Sequence, residues 1–146
     1  MTKATQSTWM RWLRAWLPAI LWMSGIFILS AQSSLPSLET SWRDLVLKKT
    51  GHFVGFGILT WLYLRALGFH GVPLGWRIWI ALGMTALYGA SDEFHQSFVP
   101  GRNPALTDWM IDMAGALVVA LGMRWLLPGL LPQLRPFDRR PPGAQS

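Results

Sequence analysis

The stretch Ala90–Asp112, ASDEFHQSFVPGRNPALTDWMID, holds four of the chain's seven acidic residues and one of its three histidines. Asp92, His95 and Gln96 stand at i, i+3, i+4 spacing and share one face of a helix that reaches Gln96. A carboxylate beside an imidazole is the arrangement of an oriented general base or a metal-bound His, whereas His95 alone would more often be a packing residue. Lys48 or Lys49 with His52 repeats the spacing, and Asp108 and Asp112 lie four apart on one helix face. Pro100-Gly101 fits a type II turn, with φ > 0 at the glycine. That turn folds Arg102 back towards the helix ends. Lys49 and Arg102 are the cations suited to a phosphate, Lys as a point charge and Arg through its fork.

Each acidic residue also has a plain structural reading. Asp108 follows Thr107 at a helix start, where capping and the helix dipole stabilise a carboxylate. Asp92 and Glu93 occupy a helix C-terminal end, where the dipole disfavours anions, so they call for a partner. Asp112 lies about 6 Å deeper than Asp108 at 1.5 Å per residue. An unpaired Asp near the centre of a span costs about 2.5–3.5 kcal/mol, so Asp112 should face the bundle and meet Arg102, Lys49 or a His. A purely structural ion pair would satisfy the same constraint.

The elements that carry these residues are apolar runs. Ala15–Ala31 has no charge, Phe53–Phe69 has only Arg65, Ile78–Ser91 is short unless it extends through Trp76 and Phe94, and a fourth run begins at Trp109 and contains Asp112. A span needs about 20 helical residues. Charged residues make up 14% of the chain against roughly 25% in soluble domains, and there are ten Trp, a residue suited to the membrane boundary. The 17-residue first run exceeds the usual h-region of a cleaved signal peptide. No Cys is present, so disulfides and thiolate metal sites are excluded. The net charge of +6 is spread around the apolar runs with no nucleic-acid motif, which argues against a nucleic-acid partner.

The fold class expected is therefore all-α, a membrane bundle of four transmembrane helices over residues 1–127, followed by a Pro/Arg-rich cytoplasmic tail, 128–146. With the N-terminus inside, nine Lys and Arg fall on the inner side and four on the outer, so the rule for short loops predicts N-in/C-in. Asp92–Asp108 and Gln32–His52 then both lie outside, where their charges can converge. His70, in the short inner loop, is expected to be solvated.

The sequence resembles the VanZ-like family of small bacterial membrane proteins. The family's D-E-x-x-Q, P-G-R, and D with D or N four later followed by G correspond to Asp92, Glu93, Gln96, Pro100, Gly101, Arg102, Asp108, Asp112 and Gly115. FILSAQ is similar to its S-x-Q, giving Ser30 and Gln32, and KKTGHF to its K-x-x-H-F, giving Lys49, His52 and Phe53. The resemblance implies a multi-pass protein of the bacterial inner membrane with an envelope function, in a family whose named member is associated with resistance to the glycopeptide teicoplanin.

Two functions follow as expectations. In the first, an outward polar site binds a lipid or lipid-linked cell-wall-precursor headgroup through Lys49, Glu93, Gln96, Arg102, Asp108, Ser30 and Gln32. In the alternative, a membrane-embedded enzyme acts on such a headgroup by acid–base chemistry of His95, Asp92, His52 and Asp112. Ion translocation is weaker, because the ionisable residues gather on one side and Arg65 and Arg77 form no relay. No metal site is assigned, since His52, His95 and the carboxylates match no metal-motif spacing. Cofactor and protein partners stay open.

Overall fold

A computed structural model describes residues 3–33, 42–102 and 104–125. The tail 128–146, Asn103 and most of the loop before Trp42 lie outside the described residues. Four helices follow in order: α1 (Lys3–Ser30), α2 (Trp42–Phe69), α3 (Leu74–Gln96) and α4 (Leu106–Trp125). Helix is what such sequences must form in lipid, because every backbone N–H and C=O has to be satisfied within the segment.

Three of the four, over Thr8–Ser30, Val46–Phe69 and Leu106–Trp125, are long and apolar enough to cross a membrane. The expectation of four spans is met only in part. α3 does extend through Trp76 and Phe94, reaching 23 residues, but it carries Arg77, Asp92, Glu93 and His95 towards its ends. α2 also starts well before the apolar run at Phe53, so Lys49 and His52 sit on ordered helix and not at its first turn.

α2 is the central helix and packs on each of the others. It supplies the bulk of the core through Phe56, Leu59, Leu62, Tyr63 and Leu64. The other helices bury small residues: Ala15 and Ala19 on α1, Ala81 on α3, Ala116 and Ala120 on α4. Large side chains on one helix against small ones on the next allow close approach without a solvent-driven hydrophobic force. The closest approach is at Gly115, where an added Cβ would run into the Phe53 carbonyl of α2. Inside the core Thr60 and Thr85 satisfy one another at 2.9 Å, and Thr60 also donates to the Phe56 carbonyl.

The link from α2 to α3 explains itself chemically. Gly71 has φ of 74°, the Val72 amide donates to the Leu67 carbonyl, and the Gly71 amide donates to the Gly68 carbonyl. This is a Schellman stop with glycine in the left-handed position. Pro73 then provides the N-cap of α3, where its missing N–H costs nothing. The outer surface of the bundle is apolar, with Leu21, Ile28, Leu87, Leu117 and Val118 exposed. Such an apolar perimeter needs lipid, not water, as its solvent.

Candidate functional site

The end of α1, the start of α2, the end of α3 and the start of α4 meet at one end of the bundle. α2 and α4 run parallel there, so their polar positions pair as two rungs. Lys49 Nζ lies 3.0 Å from Asp108 Oδ1, half-exposed at the rim. One turn deeper, His52 Nδ1 lies 3.0 Å from Asp112 Oδ1. The Asp112 side chain is 1% exposed. Phe56, one turn further along α2, lies parallel to the His52 ring with centroids 6.3 Å apart.

α1 and α3 build a second group. Ser30 Oγ donates to Asp92 Oδ2 at 2.8 Å, and Gln96 Nε2 donates to the same oxygen at 2.8 Å. Gln96 also reaches Ser30 Oγ at 3.4 Å. All three residues are buried. The i, i+4 spacing of Asp92 and Gln96 is what lets one side chain fold onto the other. Between the two groups stands Glu93, whose Oε2 accepts the Ala105 amide at 2.9 Å and so satisfies a backbone donor just before α4.

Arg102 closes the loop side. The Arg102 amide donates to the Val99 carbonyl, and Gly101 has φ of 80°, as the Pro-Gly type II turn requires. The turn aims the guanidinium at α1, where Nε donates to the Gln32 carbonyl at 3.2 Å and Nη2 to the Leu29 carbonyl at 3.0 Å. A cation on the last carbonyls of a helix offsets their orphaned lone pairs and the negative end of the dipole.

Several residue-level expectations change. His95 is not the imidazole that a carboxylate orients. Asp92 is engaged by Ser30 and Gln96, while the His95 ring stacks on Phe27 at 4.4 Å and its Nε2 is buried without a hydrogen-bond partner. The oriented imidazole is His52, held by Asp112. Asp112 thus meets a His, one of the three partners expected for it, and Arg102 goes instead to the end of α1. Asp108 sits in the first turn of α4, as the capping reading supposed, and also pairs with Lys49. Gln32 contributes its backbone carbonyl, its side chain being exposed. His70 is exposed but not merely solvated. Its Nε2 accepts the Trp16 indole N–H at 3.0 Å, and Trp12 packs against its ring at the opposite end of the bundle.

Among the described residues, four buried side-chain polar atoms have no hydrogen-bond partner: Asp92 Oδ1, Glu93 Oε1, His95 Nε2 and Asp112 Oδ2. All belong to the polar end. His52, Glu93 and Asp112 each offer one atom able to ligate a metal, and those atoms lie within 4.8 Å of one another. Sequence reasoning missed the Phe27–His95 stack, because Phe27 reads as one more apolar residue of the first span. It also missed the Ala105 amide, since a backbone donor leaves no mark in the residue type.

A family model described as VanZ/LLP1 matches residues 15–127. That range contains every polar residue of the site described above. No curated protein and no solved structure matches the chain.

Proposed function

The chain belongs to the VanZ/LLP1 family, and from that premise we propose that its polar end binds the headgroup of a membrane lipid or lipid-linked cell-wall precursor at the outer face of the bacterial inner membrane. The observation that carries this reading is a rim of cations over buried, unpartnered acceptors. Lys49 is half-exposed above Asp112, and Arg102 commits two N–H groups to carbonyls out of the five a guanidinium offers. Below them Asp92 Oδ1, Glu93 Oε1 and Asp112 Oδ2 accept no hydrogen bond from the described residues. Phosphate oxygens suit the rim and headgroup hydroxyl or amine donors suit the interior, since a buried acceptor left unpaired costs about 1–3 kcal/mol.

The orientation belongs to the same proposal. The opposite end carries Arg14, Arg65 and Arg77 with Trp12, Trp16 and His70, a basic and aromatic belt that fits the cytoplasmic boundary. All four helices then cross the bilayer, both termini face the cytoplasm, and the polar end opens outward.

Purified protein in lipid nanodiscs should retain an anionic phospholipid or a polyprenyl-diphosphate probe over a zwitterionic lipid by native mass spectrometry. Lys49→Gln and Arg102→Gln should each weaken retention about tenfold, equivalent to about 1.4 kcal/mol. Equal retention of all lipids by wild type and variants would refute headgroup binding. Teicoplanin susceptibility of cells carrying the same variants gives the link to glycopeptides a cellular readout.

A second reading, acid–base catalysis on such a headgroup, is favoured by one feature. The His52–Asp112 bond fixes an imidazole against a buried carboxylate beside the cationic rim, the pairing that orients a general base. Turnover of a labelled headgroup by the purified protein separates it from binding alone.

A further inference from the structure

The residues that sequence spacing left unconnected come together around a common point. His52 is on α2, Glu93 on α3 and Asp112 on α4, yet one ligating atom from each lies within 4.8 Å of the other two. Two atoms that coordinate the same ion at about 2.1 Å are at most about 4.2 Å apart. At the tetrahedral angles of a zinc site that spacing falls to about 3.4 Å, so closing the set needs up to about 1.4 Å of movement in its widest pair, within the reach of side-chain rotation.

A cluster of this kind would carry little by itself. Two further features make it a site. First, Asp112 is 1% exposed and its Oδ2 has no hydrogen-bond partner, and Glu93 Oε1 is also buried without one. Second, the described hydrogen bonds to these carboxylates come from His52 and from the Ala105 amide, and none comes from a Lys or Arg. Lys49 is held by Asp108 at the rim, and Arg102 by carbonyls of α1. Two carboxylates thus face one imidazole inside an apolar bundle, and buried charges are tolerated when they are paired or coordinate a metal.

We propose that His52, Glu93 and Asp112 form a binding site for a divalent transition-metal cation. Two carboxylates and a neutral imidazole match its charge of two. The nitrogen ligand separates the site from the all-oxygen sets that Mg²⁺ and Ca²⁺ prefer and suits Zn²⁺ or a neighbouring first-row ion. Three protein ligands leave at least one coordination position open, the pattern of sites that hold water or a ligand oxygen and not of closed structural sites. Glu93 is positioned for this by its other oxygen, fixed on the Ala105 amide, and His52 by its place one turn below Lys49 on α2.

The inference does not depend on the headgroup reading, and the assay uses the metal alone. Full-length protein stripped with a chelator in detergent is titrated with Zn²⁺ by calorimetry, and the loaded protein is examined by X-ray absorption. One equivalent per chain is expected, with a first shell of one nitrogen and otherwise oxygen, and with no competition from a hundredfold excess of Mg²⁺. His52→Gln and Glu93→Gln should each weaken binding at least tenfold, while His70→Gln at the opposite end should leave it unchanged. Absence of saturable binding to the folded wild type would overturn the site. So would undiminished binding in both site variants, loss of binding in His70→Gln, or an infrared carboxylic-acid band in the wild type that Zn²⁺ does not remove, which would place a proton where the metal is proposed. Should the variants not fold, the stoichiometry and first shell of the wild type still decide. A negative result leaves headgroup retention to be judged by its own assay.

Discussion

At the scale of the residue, Asp112 is the most deeply buried ionisable side chain among the described residues. It is almost fully enclosed, bonded to His52 through one oxygen, and packed so that its other oxygen lies 3.5 Å from where a Cβ on Gly89 would be. Removing one partner from a buried charged pair can cost about 3–5 kcal/mol, whereas neutralising both is often tolerated. Asp112→Asn keeps the volume and an acceptor for the imidazole N–H, so it should fold with a Tm close to wild type. If the carboxylate serves a ligand, Asp112→Asn should nevertheless lose headgroup retention, and His52→Gln combined with it should not restore it. Thermal unfolding in detergent measured beside lipid retention checks both halves. Full retention in the neutral double variant would reduce the pair to a structural one.

At the scale of the element, the parallel contact between α2 and α4 sets the site, because it brings Lys49 to Asp108 and His52 to Asp112 as successive rungs. That contact turns on Gly115, directly against the Phe53 backbone, while Gly57 faces the Gly115 carbonyl and Val119 at 3.4 Å. Backbone cannot give way as a side chain does. Gly115→Ala should therefore destabilise by about 1–3 kcal/mol, the usual cost of overpacking, and should loosen both rungs together. Gly57→Ala, at ordinary contact distance, should stay near wild type. Chemical denaturation of the two variants in mixed micelles makes the comparison, and equal stabilities would mean the helices are not held where Gly115 places them.

At the scale of the whole molecule, segregation is the main fact. Among the described residues, Asp92, Glu93, Asp108, Asp112, Lys49, His52 and His95 are at one end, and Arg14, Arg65, Arg77 and the Trp12, Trp16, His70 cluster are at the other. With an apolar perimeter between them, the molecule has one polar cap of mixed charge and one that is basic and aromatic. Reporter fusions at Ser37 and Asn103 should read outside, and fusions at Gly71 and Ala144 inside. A cytoplasmic signal at Asn103 would place the carboxylate end inside and remove the outward-facing site.

The sequence by itself determined that this chain is helical and apolar, that its helices break at the short loop around His70 and at Pro100-Gly101, and that four of its carboxylates gather between two apolar runs. Those are local properties: a run without charge, a glycine that must adopt positive φ, a spacing of three or four on one helix. The residues Lys49, His52, Asp92, His95, Gln96, Arg102 and Asp112 were legible as a set for the same reason, and Ser30 only through the family pattern. Which of them touch was not. Asp92 stood beside His95 in the sequence, yet its carboxylate went to Ser30 of another helix, and Asp112 found His52 sixty residues away. Helix rotation decides such pairings, and rotation is set by where small residues permit backbones to meet, above all Gly115 on Phe53. Only the tertiary structure could therefore separate the oriented imidazole, His52, from the stacked one, His95, and bring an oxygen of Glu93 within 4.8 Å of both His52 and Asp112.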